Sequence, residues 1–506
     1  MSKKTGLLIF FIVLKLSLHL WLINPAYDLH RDEYLHLDQA KHLAWGFYSV
    51  PPVTSWISWI ILQFGNGVFW IKFFPALFGA LTMAVVWKTI EVLKGDLFAL
   101  LSGAIAVIFS AILRMNILYQ PNSLDILCWT LFYFTVVQYI STKNTAWLLK
   151  AGIVFGFGCL NKYNMVFLLL GILPAIVLTA HRKIFFTRQF YFSILIALLI
   201  IAPNIFWQYQ NNFPVFHHLK TLSATQLVNV NRMDFLKEQV IFFMGSIFIL
   251  VAAFISFFTY PPFYKFRLFF LAFIFTLLIF VYLKAKGYYA IGLYPILLAF
   301  GAVYLEKILN HGWKFYLRPV AITIPLLLFI PVFRIGFPIQ RPAAIQQNAQ
   351  RYKKFNLLRW EDGKDHPLPQ DFADMLGWRE LASKKDLACE QIADATHTLI
   401  LCDNYGQSGA INYYSKHKNI TAFCMDGDYY KWFLLDKIEI KNIVLVKTIA
   451  DTAVNLDEAK KFFTTVLPAG KIENIYAREQ GTSIYILKDV HSPSMLRKKL
   501  VDENAH

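Results

Sequence analysis

Long apolar runs dominate this chain, and they decide which solvent most of it folds in. A helix of about 17–25 apolar residues is long enough to cross a bilayer, because each residue rises about 1.5 Å and the hydrocarbon core is about 30 Å thick. Eleven such runs are predicted as spans, near 6–24, 67–87, 96–113, 123–140, 146–161, 163–180, 189–207, 240–259, 268–283, 288–306 and 315–335. Composition agrees: 57% of the 506 residues are hydrophobic and only 16% charged, the profile of a polytopic membrane protein. The first run follows Lys3 and Lys4, is long for the apolar core of a signal peptide and has no small-residue cleavage pattern after it. It is therefore read as an uncleaved helix.

Charge divides the chain in two. Residues 1–340 hold 26 Lys and Arg against 10 Asp and Glu, whereas 341–506 hold 23 against 22. The basic excess thus belongs to the apolar portion, which argues against nucleic acid as a partner. The expected division is a membrane domain at 1–340, carrying an outer loop at 25–66, and a globular domain at 341–506. Loops bearing Lys88, Lys94, Lys143, Arg182, Lys183, Lys265, Arg267, Lys307 and Lys314 fall on one side and are read as cytoplasmic. An odd number of spans then places the 25–66 loop and the C-terminal domain on the opposite, extracytoplasmic face. That face also carries Arg31, Lys41, Arg114, Lys162, Lys220, Arg232, Lys237, Lys284 and Lys286, so its mouth is expected to attract an anion.

Acids are few and concentrated. Four of the ten in the membrane portion, Asp28, Asp32, Glu33 and Asp38, lie in the stretch YDLHRDEYLHLDQ, and Asp125 occupies another outer segment. The Asp32-Glu33 pair reads either as an acidic helix start in a wet loop or as a general base with an orienting partner. At a membrane surface partial desolvation would raise the basicity of such a carboxylate. The segment that follows, LHLDQAKHLAWGFYSVPPVTSWISWII, is amphipathic and aromatic-rich, as expected of a helix lying in the interface. His30, His36 and His42 invite a zinc site, yet their spacing of six does not put ligands on one helix face. Glu33 and His36 remain the candidates for a divalent metal ion. Asp125 is either a residue favourable to a helix N-terminus or a contact for sugar or acceptor. Transporters place their ionisable groups near the bilayer midplane. Acids gathered at the outer face favour an enzyme, with a multi-span transporter of an anionic or lipid-linked substrate as the alternative.

RDEYLHLDQAKHLAWGFYSVPPVTSWI resembles the first outer loop of the bacterial family-39 glycosyltransferases, relatives of the protein O-mannosyltransferases and lipid A aminoarabinose transferases. Arg31-Asp32-Glu33, His42-Leu43-Ala44-Trp45-Gly46-Phe47 and Pro51-Pro52 carry the likeness. PNSLDILCWTL with Asp125, GFGCLNKYNMVFLLLG with Lys162-Tyr163, and KAKGYYAIGLYPILLAFGA with Lys286-Gly287-Tyr288-Tyr289 continue it in order. The resemblance implies a GT-C fold, a polytopic helical bundle with a cavity at the outer membrane surface, in a bacterial inner membrane. It implies transfer of a sugar, with inversion, from a polyprenyl-phosphate lipid to an extracytoplasmic lipid, glycan or protein hydroxyl. Asp32 is then the base, with Glu33 orienting it and Arg31 close to substrate. A departing phosphate needs cations, for which Arg114, Lys162, Lys284 and Lys286 are the candidates. Tyr163, Tyr288 and Tyr289 are carried over as substrate contacts. Because the donor's leaving group sits on a lipid, no nucleotide-binding Gly-rich loop is required, and none in a strand–loop–helix context is visible.

Residues 341–506 read as a soluble α/β domain. HTLILCD, NITAFCM, NIVLVKTI and SIYILKDV are predicted strands, and ADMLGWRELASKK and DEAKKFFTTVL predicted helices, giving a small, mostly parallel sheet. NYGQSGAINYY, after the first strand, reads as an ordinary strand–helix turn in preference to a ligand-facing helix start. Cys389, Cys402 and Cys424 lie in this domain, where an oxidising compartment would permit one disulfide and leave one thiol.

Overall fold

The computed structural model describes residues 2–394, 396–433, 439–449 and 452–504. It divides into two compact units. One comprises Met1–Ile23, Ala44–Thr54 and Gln63–Ile339; the other comprises Asn24–Leu43, Ser55–Leu62 and Gln340–His506. Most of the stretch that the sequence assigns to an outer loop of the membrane domain thus belongs with the C-terminal domain.

The first unit is a helical bundle, and each of the eleven predicted runs contains helix. Among the described residues seven helices, not eleven, are long and apolar enough to cross a membrane: Lys3–Trp21, Val68–Val92, Asn122–Thr142, Arg188–Gln210, Pro261–Tyr282, Gly287–Ile308 and Gly312–Gly336. Two further runs are broken helices, Met165–Val177 with Ala180–Phe186, bent by 109°, and Arg232–Phe242 with Met244–Thr259, bent by 62°. The shorter helices Leu97–Ile108 and Ala146–Asn161 occupy the remaining two. Burial separates centre from periphery: 83% of the best apolar window of Gly287–Ile308 is buried, against 11% for Arg188–Gln210. Such packing without a water-driven hydrophobic effect depends on close backbone approach. Gly301 shows how close, since a Cβ there would collide with the Ile249 carbonyl oxygen. Around Phe300, the rings of Phe257, Phe263, Phe266 and Phe269 pack with centroids 5.0–5.4 Å away.

The second unit carries a five-stranded sheet of β1 (Thr398–Cys402), β2 (Ala422–Cys424), β3 (Asn442–Lys447), β4 (Phe463–Lys471) and β5 (Ser483–Val490), in the order β2-β1-β3-β5-β4. β1 pairs parallel with β2 and β3, whereas β5 pairs antiparallel with both β3 and β4. The sheet is therefore mixed, not mostly parallel. The difference comes from β4, which the sequence reading takes as the end of a helix. The helix Thr452–Ala459 stops short, and Thr464, Thr465 and Val466, β-branched residues suited to a pleated surface, continue as an edge strand. Pro468 is tolerated there because an edge strand leaves one row of N–H groups unpaired, and the register shifts beside it.

Long-range hydrogen bonds explain why Asn24–Leu43 folds with this unit. Asp28 Oδ2 accepts from the backbone N–H groups of Trp378 and Arg379, capping the helix Trp378–Glu390, and Asp28 Oδ1 pairs with Arg379 Nε at 3.0 Å. Asp38 Oδ2 accepts from Asn412 Nδ2 and from the Tyr429 hydroxyl, each at 2.7 Å. Gln39 Nε2 donates to Asp428 at 2.9 Å. Tyr34, 1% exposed, packs its ring against Trp378, Tyr413 and Tyr414.

Candidate active site

The helix Arg31–Asp38 begins with a capping box. His30 Nδ1 accepts from the Asp32 N–H at 3.2 Å, while Glu33 Oε2 accepts from the His30 N–H at 2.8 Å. This local arrangement sorts the four acids of the opening stretch. Asp28 caps a helix, Asp38 holds Asn412 and Tyr429, and Glu33, fully buried, closes its own helix start. The side chains of Asp28 and Asp38 are 10% and 11% exposed, and that of Asp32 is 36% exposed. Asp32 is the acid that the fold leaves facing outward.

Asp32 is held as an anion. Its Oδ1 accepts from the Tyr405 hydroxyl at 2.8 Å, and its Oδ2 lies 3.8 Å from His30 Nδ1. The Arg31 guanidinium stacks over the Tyr405 ring, 4.4 Å from its centroid. Burial pushes the Asp32 pKa up, but His30, Arg31, His36 and the Tyr405 hydroxyl outweigh it and bring it to about 2. Behind this pair, Asp374 is 2% exposed and accepts from Arg478 Nη1 at 3.1 Å through both carboxylate oxygens. Its Oδ2 lies 3.7 Å from His30 Nε2. Burial raises the Asp374 pKa, opposed by Arg478, His30 and Arg31. Burial likewise raises Asp426, with Arg31 pulling it back. Arg31 therefore serves this buried acid set and the Tyr405 ring, a positioning job more than a substrate contact.

Tyr405, Asp374 and Asp426 escaped the sequence reading. The nearest signal was NYGQSGAINYY, and the structure confirms its strand-to-helix turn. Asn404 Oδ1 accepts from the Gln407 N–H at 3.1 Å and opens the helix Tyr405–Tyr414, whose first residue reaches Asp32.

The bundle holds a second constellation. Asp125, on the first turn of Asn122–Thr142, accepts from Trp129 Nε1 at 3.1 Å and from Asn164 Nδ2 at 2.8 Å. Asn164 Nδ2 also donates to the Tyr289 carbonyl at 3.1 Å. Asp125 is 5% exposed, so it ties three segments together in addition to favouring its helix start. Lys162 stands beside it, donating Nζ to Asn122 Oδ1 at 2.6 Å and lying over the Tyr289 and Tyr288 rings, 4.4 and 5.3 Å from their centroids. A cation on an aromatic platform, with few direct partners, can accept an incoming anion. Asp125, Lys162, Tyr288 and Tyr289 are thus brought together, with Asn122 and Asn164 added to them.

The other predicted residues go elsewhere. Tyr163 donates to Asn204 Oδ1 at 3.0 Å and accepts from Gln208 Nε2 at 2.8 Å. Lys286 Nζ donates to Gln226 Oε1 at 2.6 Å. Lys284 ends a helix in the left-handed region, with φ of 53°, and Arg114 lies on the short helix Ala111–Met115. Glu33 and His36 do not form a metal-ligand set: His36 Nδ1 bonds Gln39 Oε1 at 3.3 Å, and Glu33 closes the capping box. Among the described residues no three His, Cys, Asp or Glu side chains gather as metal ligands.

Comparison with known proteins finds partial matches in sequence and a likeness in fold. Residues 49–207 match the family described as dolichyl-phosphate-mannose-protein mannosyltransferase. The lipid A galacturonosyltransferase RgtD of Rhizobium johnstonii is 23% identical over 240 residues, covering 46% of this chain and 49% of that protein. The lipopolysaccharide core galacturonosyltransferase RgtB of the same organism is 25% identical over 248 residues, covering 44% and 45%. The matched region spans about half the length of these relatives. Among solved structures, ArnT from Cupriavidus metallidurans bound to undecaprenyl phosphate superposes with a TM-score of 0.61 at 11% identity, covering 95% of this chain and 98% of that one.

Proposed function

We propose that this integral membrane protein, built on the GT-C fold that the ArnT likeness establishes, transfers a sugar from a polyprenyl-phosphate donor to an extracytoplasmic acceptor. The observation that carries the reading is the sorting of the acids at 28–38, in which three are buried in folding contacts and Asp32, beside its hydrogen bond from Tyr405, keeps its carboxylate partly exposed. The acceptor hydroxyl attacks the anomeric carbon, the carbon–phosphate-oxygen bond breaks, and polyprenyl phosphate departs with its bonding electron pair. One displacement inverts the anomeric centre.

A carboxylate with a pKa of about 2 is too weak to deprotonate a free alcohol. It can orient the hydroxyl by accepting its hydrogen bond, and it can take the proton late, once bond formation has made the attacking oxygen positively charged and strongly acidic. On the donor side, a departing phosphate gains charge that a preorganised cation stabilises, and Lys162 on its Tyr288–Tyr289 platform suits that role. A sugar ring can stack on the same tyrosines. The named activities of RgtD and RgtB favour a lipid-borne envelope saccharide as acceptor over a protein, and the setting proposed with it is a bacterial inner membrane.

The test compares three substitutions in purified protein supplied with polyprenyl-phosphate sugars, galacturonosyl donors included. Asp32→Asn is expected to stop release of polyprenyl phosphate, with a fall in melting temperature that reflects the lost anion beside His30, Arg31 and Tyr405 but leaves the protein folded. Asp28→Asn and Asp38→Asn are expected to lower the melting temperature, because each loses helix-capping or buried hydrogen bonds. Wild-type turnover in Asp32→Asn would remove Asp32 from the reaction.

A further inference from the structure

Among the described residues a cavity of 310 Å³ opens within the bundle, between the helices Asn122–Thr142, Ala146–Asn161, Met165–Val177 and Arg188–Gln210. Its walls are almost wholly apolar, including Val136, Phe155, Leu173 and Ile201. Ile194 and Leu198, on its outer wall, are 43% and 52% exposed, so the cavity opens sideways toward the surrounding lipid. One end closes on the short helix Ala180–Phe186, from which His181 reaches in and bonds the Lys265 carbonyl at 2.6 Å. At this end the surface is cationic: Lys143 lies within electrostatic reach of His181, and Arg182 and Lys183 follow it, all three exposed.

Charge singles out the occupant. Residues 126–233, which supply every lining residue but Leu268, contain no Asp or Glu. Of its basic residues, Lys143, Arg182 and Lys183 stand at this end. A basic rim with no acid of its own segment, above an apolar slot open to lipid, has the features that select an anionic lipid headgroup. Methylene groups occupy about the volume of a water in the liquid, roughly 30 Å³, so the slot holds roughly ten chain carbons. That is the greater part of one acyl chain and leaves no room for a second.

We infer that this cavity binds one acyl chain of an anionic glycerophospholipid, with the headgroup phosphate on Lys143, Arg182 and Lys183. Apolar burial supplies affinity and the rim supplies selectivity. The site is independent of sugar transfer, so its test does not depend on that reaction.

Protein purified in mild detergent is stripped of lipid and titrated with phosphatidylglycerol and phosphatidylcholine, with binding read by native mass spectrometry. Wild-type protein is expected to take one phosphatidylglycerol in preference to phosphatidylcholine. The triple substitution Lys143→Gln, Arg182→Gln, Lys183→Gln, all on exposed side chains, is expected to erase that preference, at about fivefold for each charge removed. Val136→Trp fills the slot and is expected to weaken both lipids together. Equal binding of the two lipids by wild type overturns the inference, as does a preference that survives the triple substitution. Binding unchanged by Val136→Trp also overturns it. So does recovery of polyprenyl phosphate as the native occupant, since the slot would then hold the donor's tail.

Discussion

Replacing Arg478 by Met puts the acid set behind Asp32 under direct strain. Arg478 meets both oxygens of Asp374, whose side chain is 2% exposed, while Arg478 itself is 27% exposed. Removing one partner of a buried ion pair costs about 3–5 kcal/mol, because the remaining charge stays buried without compensation. The partial exposure of Arg478 favours the lower end, about 3 kcal/mol. For a unit of this size that corresponds to a fall of about 6–12 °C in melting temperature. The pH dependence fixes the cause. Burial already raises the folded-state pKa of Asp374, and Arg478 is the strongest group pulling it back, so the substitution raises it further. A carboxyl whose folded pKa exceeds its unfolded value destabilises when ionised, and that penalty fades as pH falls through the folded value. The deficit of Arg478→Met should therefore be larger at pH 7.5 than at pH 5.5, as read by tryptophan-fluorescence melting. Adding Asp374→Asn should restore most of the loss. A melting temperature within about 2 °C of wild type at both pH values would refute the assignment of a buried, paired Asp374.

Three more outcomes follow from the geometry. Lys162→Met removes a cation without breaking a buried ion pair, so turnover of the donor should fall about 10–150-fold, the worth of a charged hydrogen bond of about 1.5–3 kcal/mol, with stability nearly unchanged. Lys286→Ala, whose ammonium is held by Gln226, should weaken donor use less than Lys162→Met does and leave acceptor choice unaltered, as measured by steady-state rates with two acceptors. Lys15→Met should raise the melting temperature: Lys15 is fully buried in the helix Lys3–Trp21 and its Nζ has no hydrogen-bond partner among the described residues, so an isosteric apolar chain removes an uncompensated polar group worth about 1–3 kcal/mol.

The bundle was legible because lipid leaves a coarse record in sequence. Every span must be an apolar run, and backbone hydrogen bonds close within each helix. Breaks were less legible: the 62° bend between Phe242 and Met244 falls inside the apolar stretch 240–259, which reads as one run. In the C-terminal domain, β1, β2, β3 and β5 announced themselves by β-branched apolar residues. β4 did not, because its KKFFTTVL sequence follows a helical pattern without a turn signal and only pairing with β5 decides its state. The site was half legible. Resemblance pointed to Asp32, Asp125 and Lys162. The roles of Asp28 and Asp38 depend on Trp378, Arg379, Asn412 and Tyr429, more than 300 positions away, which no local pattern encodes. Tyr405, the hydroxyl on Asp32, is hidden for the same reason.

The central claim is a reaction, and its most direct measurement is product chemistry. Purified protein is incubated with a polyprenyl-phosphate sugar and extracted envelope glycolipid, and both products are quantified by mass spectrometry, with the anomeric configuration read by NMR. The account predicts polyprenyl phosphate and glycosylated acceptor appearing in equal amounts, with the anomeric centre inverted and no product from Asp32→Asn. Retention of configuration, or glycosylated acceptor formed at the wild-type rate by Asp32→Asn, would contradict it.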